Sequence, residues 1–216
     1  MSRLIIFGGG EIAEKGIVPI VGGTVLTAED CDLTQWHTVV EAVERTSPEH
    51  VVVTAGVSRP SPVAGSNPGR WHKELMVNLL GPYHVARAVA GKAKTMVFVS
   101  SVAGLYGKPN HSGYSASKAG LISLVQSLAM EGYNAYAISP GRVDTAMRER
   151  DYPGEDPKTR LKPTVIGQLV ADILAGRYTP GDNLVIRMRG HEVLPLEVHR
   201  GDGWREKLRV GEPPTC

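Results

Sequence analysis

Six short apolar runs, separated by stretches of helical pattern, constrain the fold of this chain more than any other feature. They are Leu4-Ile5-Ile6-Phe7, Thr24-Val25-Leu26-Thr27, Val51-Val52-Val53-Thr54, Thr95-Met96-Val97-Phe98-Val99, Ala135-Tyr136-Ala137-Ile138 and Leu184-Val185-Ile186-Arg187-Met188. Most are continuously apolar rather than alternating, as strands of a parallel sheet are when helices cover both faces. Strands alternating with helices predict an α/β fold: one Rossmann-like, doubly wound parallel sheet of about six strands with helices on both faces. Residues 1–190 form that unit in this reading. Residues 191–216 are a polar, turn-rich tail that the pattern does not place.

The connections are uneven. Gly8-Gly9-Gly10 stops the first run, and Gly8-x-Gly10-x-x-Ala13 fits a dinucleotide fingerprint in which backbone amides and a helix N-terminus face a pyrophosphate. The helix opening near Glu11 meets Gly16 and Pro19, which predict a short or broken element. Thr34 reads as the cap of a helix ending near Arg45. A Pro/Ser/Gly loop spans 58–69, and a helix from about Trp71 to Ala90 should bend at Pro82 unless its ladder adjusts. Helices follow over 112–131 and 163–175, with a charged loop at 145–163.

Composition narrows the function. The 216 residues carry a net charge of +2, too mild to argue for nucleic acid. No run approaches the length of a membrane span, and the N-terminus lacks the apolar core of a signal peptide. The two cysteines, Cys31 and Cys216, offer neither a disulfide framework nor a metal-ligand cluster, which points to a cytoplasmic protein without a metal.

Chemistry concentrates at Tyr114-Ser115-Ala116-Ser117-Lys118. On a helix, Tyr114 and Lys118 lie one turn apart on one face. An ammonium beside a phenol in a dry cleft should lower the phenol pKa and make it a general acid/base. Ser101 ends the fourth run, where its hydroxyl could bond the same substrate oxygen. Ser100 competes with it, but successive strand residues face opposite ways and the spacing to Tyr114 favours Ser101. His111 reads as a solvated loop residue. Arg142, Arg148 and Arg150 alternate with acidic residues as a mixed solvated face would.

In spacing and flanking residues, Ser101…Tyr114-Ser-Ala-Ser-Lys118 resembles the Ser…Tyr-x-x-x-Lys signature of the short-chain dehydrogenases/reductases. Thr54-Ala55-Gly56 resembles the family's Asn-Ala-Gly, Asn78 sits where its helix Asn does, and Pro140-Gly141-Arg142-Val143-Asp144-Thr145 resembles its Pro-Gly-x-x-x-Thr loop. The resemblance covers about 48–190. It implies an NAD(P)-dependent oxidoreductase acting on a small alcohol or carbonyl substrate. Tyr114 would transfer the proton, Lys118 would lower its pKa and hold the nicotinamide ribose, Ser101 would polarise the carbonyl, and Asn78 would organise a proton-relaying water. Gly8, Gly10, Ala55, Gly56, Pro140, Gly141, Val143 and Thr145 would contact the cofactor. The family also implies a homo-oligomer, dimer or tetramer, paired through the helix after Asn78 and the helix carrying Tyr114. Leu121, Ile122, Leu124, Val125, Leu128 and Met130 surround the latter broadly enough to want a partner.

The first 47 residues depart from the family, with about one βα unit missing before Asp32-Leu33-Thr34. The second strand must then lie beside the first, which would bring Glu29, Asp30 and Asp32 to the adenosine ribose and favour NAD over NADP. The alternative from another class is a family scaffold that lost its cofactor with that unit and serves as a ligand-binding or protein-interaction domain.

Overall fold

A computed structural model describes residues 3–201 and the backbone of 205–208. Its central sheet contains β1 (Leu4–Phe7), β2 (Thr24–Leu26), β3 (His50–Val53), β4 (Thr95–Val99), β5 (Ala135–Pro140), β6 (Asn183–Ile186), β9 (Leu196–His199) and β10 (Arg205–Leu208). The order is β10-β9-β6-β5-β4-β3-β1-β2. The six strands from β2 to β6 pair in parallel, as the apolar runs predict. Two antiparallel strands widen the sheet beyond the expected six: β9 pairs with β6, and β10 with β9. Both lie in the tail the sequence did not place. Leu196 and Val198 are fully buried while Glu197 and His199, which alternate with them, are not, a period-two pattern within polar surroundings. A small hairpin of β7 (Met188–Arg189) and β8 (Glu192–Val193) precedes them.

Alternation along each strand supplies two cores. Leu4, Ile6, Val52, Val97 and Val99 face one side, under the first helical segment and α7 (Thr164–Leu174). Ile5, Phe7, Val51, Val53, Met96 and Phe98 face the other, under α2 (Trp36–Thr46), α4 (Gly81–Val89) and α5 (Ser112–Met130). Each such buried side chain contributes on the order of 1.5–3 kcal/mol, enough to fix the register, because a one-residue slip would exchange the faces.

Neither proline-marked helix breaks. Residues Ile12–Ile17 form a π-helical segment that runs into α1 (Val18–Val21), with Pro19 in its first turn. Likewise α3 (Pro68–Leu75) passes through a π-helical segment, Met76–Leu80, into α4, with Pro82 in its first turn. A π turn shifts the ladder to i→i−5, so a proline's missing N–H and its ring are accommodated without a kink. The first segment also crosses α7 backbone to backbone. A Cβ on Gly16 would stand 2.5 Å from the Pro163 carbonyl oxygen, and one on Gly167 would stand 2.1 Å from that of Gly16. Thr34 does not cap α2. Its hydroxyl donates to Asp32 (2.8 Å), and the helix starts one residue later than expected, with Gln35 at the cap position.

Leu121, Ile122, Val125 and Leu128 of α5 are buried within the chain and Leu124 is half-buried, while the outward-facing residues include Ala116, Ala119, Ser123, Ser127 and the exposed Met130. Among the described residues, no helix is long and apolar enough to cross a membrane.

Candidate active site

The chain leaves β1 outward to β2, then returns to β3 on the other side of β1, which places a crevice at the carboxyl ends of β1 and β3. The crevice is made tight by Gly8 (φ +110°), where a Cβ would lie 2.4 Å from the Ala55 nitrogen. Only glycine allows β1 to turn there. Thr54, which stands where the family has Asn, donates its hydroxyl to the Gly8 carbonyl (2.7 Å) and ties the two strand ends together.

One half of the crevice is a cavity of about 290 Å³ lined by Gly8, Gly10, Ala55, Gly56, the turn Thr27-Ala28 and Met147. The other half, about 130 Å³, is lined by Ser101, Tyr114 and Lys118 and by Pro140, Gly141, Val143 and Thr145. Ile12, Thr54, Gly56, Thr145 and Met147 border both halves. A dinucleotide fits this shape: space is open where a Cβ on Gly10 (φ +92°) would project, and bare backbone at Gly56 lies where a Cβ would be 3.6 Å from Lys118 Nζ.

Tyr114 and Lys118 sit in the first two turns of α5, and Ser101 follows β4. Ser101 Oγ accepts the Ala103 N–H (3.1 Å) and lines the same cavity as Tyr114. The Ser100 hydroxyl turns away and donates to the Lys118 carbonyl (2.9 Å). Lys118 is 3% exposed, donates to the Val99 carbonyl (2.8 Å), and has its Nζ 5.9 Å from the Tyr114 ring centre. Burial lowers the Lys118 pKa to about 8. The Tyr114 pKa is raised, contrary to the sequence expectation, because burial of the phenol outweighs the lowering influence of Ser101. The Tyr114 phenol is therefore protonated at neutral pH.

Asn78, fully buried in the π-helical segment, does not face the cavity. Its amide accepts from Val57 N (2.8 Å) and donates to Val57 O (2.9 Å) and to Ser117 Oγ (3.1 Å). Those bonds consume the amide in positioning the strand-to-loop turn against α5.

Glu29, Asp30 and Asp32 are not among the crevice walls. Although β2 does lie beside β1, Asp30 folds back on its own turn, accepting from Thr27 N (2.8 Å) and Oγ1 (2.9 Å). These bonds, the backbone one first, lower its pKa. Asp32 likewise accepts from Thr34 N (2.9 Å). The carboxylate that does line the cofactor half is Glu11, which reaches across to the Ala146 N–H (3.2 Å).

Sequence reading missed the lid. Within 145–163 a short helix, α6 (Ala146–Asp151), covers the smaller cavity. Glu155 holds it by pairing with Arg148 (2.6 Å), Arg160 (3.2 Å) and Arg142 (3.4 Å). The Arg148 bond first of all keeps the Glu155 pKa down at about 2. His111 is buried rather than solvated. Its ring stacks on Tyr152 (5.9 Å, 7°), meets Tyr114 edge-on (6.2 Å), and its Nε2 lies 3.1 Å from the Tyr152 hydroxyl. Nδ1 lies 2.9 Å from the Pro109 carbonyl, to which it donates. A His three residues before Tyr114, on the same approach to α5, was the available signal.

A profile of the family described as short chain dehydrogenase matches residues 20–156, more than half of the chain. The acetoacetyl-CoA reductase of Synechocystis sp. is 35% identical over 161 residues, covering 65% of this chain and 66% of that protein. The 3-oxoacyl-[acyl-carrier-protein] reductase MabA of Mycobacterium avium is 30% identical over 132 residues, 55% of this chain and 52% of the relative. The chain thus spans between half and two thirds of the length of these relatives. Among solved structures, a short chain dehydrogenase of Shigella flexneri complexed with NADP superposes with a TM-score of 0.73 over 85% of this chain and 96% of that one, at 21% identity. The chain belongs to the short-chain dehydrogenase family.

Proposed function

We propose that this short-chain dehydrogenase is an NAD-dependent reductase of small carbonyl compounds, with Tyr114, Ser101 and Lys118 as its catalytic residues. The observation that carries this reading is the convergence of those three side chains on one cavity that opens into a glycine-lined crevice. The nicotinamide supplies hydride to the substrate carbon when bound. The Ser101 hydroxyl, fixed by the Ala103 N–H, polarises the carbonyl oxygen, and the Tyr114 phenol donates the proton that oxygen acquires. Its raised pKa keeps the phenol protonated, and so able to donate, at neutral pH. Lys118 brings a buried ammonium to the cavity wall, where it stabilises negative charge developing on the phenol and can hold ribose hydroxyls. Pro140, Gly141, Val143 and Thr145 offer backbone and a hydroxyl to the cofactor. Asn78 acts by positioning. Mixing the protein with NADH and a panel of ketones, and following loss of the reduced-nicotinamide absorbance, tests the reading; no loss with any ketone counts against it.

Selectivity follows from charge. The cofactor half carries the Glu11 carboxylate and no cation among its lining residues, so a 2′-phosphate would meet no partner. NADH is expected to bind about tenfold or more tightly than NADPH, a difference of roughly 1.4 kcal/mol. Asp30→Ala is expected to weaken both together by loosening the Thr27 turn. Calorimetric titration of each cofactor checks this, and tighter NADPH binding by the parent would sink it. Assembly into dimers or tetramers through α4 and α5, and a cytoplasmic location, belong to the same reading. The small outward residues of α5 permit close approach of a second copy, which light scattering tests.

One observation favours a second reading, a scaffold that binds ligands without redox chemistry. Glu11 stands at the start of the first helical segment and bonds to Ala146, where a pyrophosphate would be repelled unless the carboxylate moves aside.

A further inference from the structure

The smaller cavity holds a charge imbalance that the proposed reaction does not use. Its charged wall residues are Lys108, Lys118, Arg148 and Asp151. Asp151 pairs with Arg150 (2.7 Å), and Arg148 with Glu155 (2.6 Å). Glu155 is shared among Arg142, Arg148 and Arg160, while Glu149 and Asp144 complete Arg160. Every carboxylate of this cluster is therefore already engaged. Lys118 is the family's catalytic lysine. Lys108 is left over: among the described residues no carboxylate lies within ion-pair distance of its ammonium. It is nevertheless partly buried, on the loop between the turn Val102–Gly104 and α5, and its electrostatic neighbours are Arg148 and Arg142, with a smaller opposing influence from the Glu155 carboxylate those two arginines already share. Burial first, and then those two cations, depress its pKa. A half-dry cation against two arginines is an unfavourable arrangement that an anion would relieve.

We propose that Lys108 is a specificity residue that binds an anionic group on the substrate, so that the compounds this enzyme reduces are oxo acids: ketones bearing a carboxylate. The proposal rests on the reading of Tyr114, Ser101 and Lys118 as the carbonyl end of the pocket. Lys108 and those three line the same cavity of about 130 Å³, which suits a substrate of few carbons with its carbonyl at Tyr114 and its carboxylate at Lys108. The Arg148 guanidinium, 3.6 Å from the Tyr152 ring centre, and the Tyr152–His111 stack line the same cavity.

Pyruvate, acetoacetate and levulinate, with their methyl esters, place a carboxylate at increasing distance from a ketone and serve as probes. With NADH, at least one acid is expected to show kcat/KM about ten- to a hundredfold above its ester, as a charge-assisted hydrogen bond in a partly dry site allows. Lys108→Met should bring that acid down to the level of the ester and leave the ester unchanged. Equal rates for acid and ester in the parent, or an equal loss of both in Lys108→Met, would overturn the proposal. If no probe is reduced, the reductase reading fails separately and calorimetric titration decides the anion site. Binding of an acid but not its ester, lost in Lys108→Met, supports it, and no binding of any acid overturns it. Lys108→Arg, which keeps the charge, should retain a preference for the acid, and its loss there would also count against the proposal.

Discussion

Tyr114→Phe is expected to lower kcat/KM for carbonyl reduction by about 10²–10⁴, the range that loss of a positioned general acid produces. The ring remains, so its edge contact with His111 (6.2 Å) and the start of α5 should survive. NADH affinity should change little, and thermal unfolding should shift by no more than about 1 kcal/mol, the worth of a single phenol hydrogen bond. Steady-state kinetics together with cofactor titration separates these effects. A Phe variant that keeps its turnover removes Tyr114 from the mechanism. One that loses turnover and cofactor binding together makes Tyr114 a structural residue instead.

Lys118→Met is expected to abolish activity and at the same time stabilise the fold. With its folded pKa at about 8, below the ordinary lysine value, Lys118 binds its proton less tightly folded than unfolded. The unfolded chain holds more protons between those two values, so stability rises with pH across that interval, and the penalty is full below about pH 8. A shift of this size corresponds to about 3 kcal/mol, from which the lost bond to the Val99 carbonyl subtracts about 1 kcal/mol. The Met variant should therefore unfold several degrees higher at pH 7, with the advantage shrinking towards pH 10. Parallel unfolding curves that keep the same separation at both pH values would contradict the assignment of a strained, functional ammonium.

The parallel strands were legible because burial on both faces leaves an unbroken apolar run, as in Leu4–Phe7 and Val51–Val53. For the same reason β9 was not: it alternates, Leu196 and Val198 inward, within polar neighbours that resemble a tail. Ser101, Tyr114 and Lys118 could be read because one strand end and one helix turn fix their spacing locally. Asp30 and Thr34 failed where the sequence could not say which partner a short polar side chain would choose. Each bonds within its own turn rather than serving the cofactor or the helix. His111, Tyr152 and Glu155 were opaque because their roles come from contacts made only when α6 folds over the cavity, across separations such as the 41 residues between His111 and Tyr152. The π-helical segments ahead of Pro19 and Pro82 show a related limit. A proline signals a perturbed ladder but not whether the helix stops or widens.

The question on which the rest depends is whether the shortened amino-terminal half, with β2 at the sheet edge and Glu11 across the crevice, still accepts a dinucleotide. Isothermal titration of the intact protein with NADH, repeated on Glu11→Gln, addresses it most directly. Saturable binding of one NADH per chain is expected, tightened about tenfold in Glu11→Gln because a carboxylate is removed from beside the pyrophosphate. No heat of binding for NADH or NADPH with either protein would contradict the assignment of this crevice as a nicotinamide site and leave the non-redox scaffold in its place.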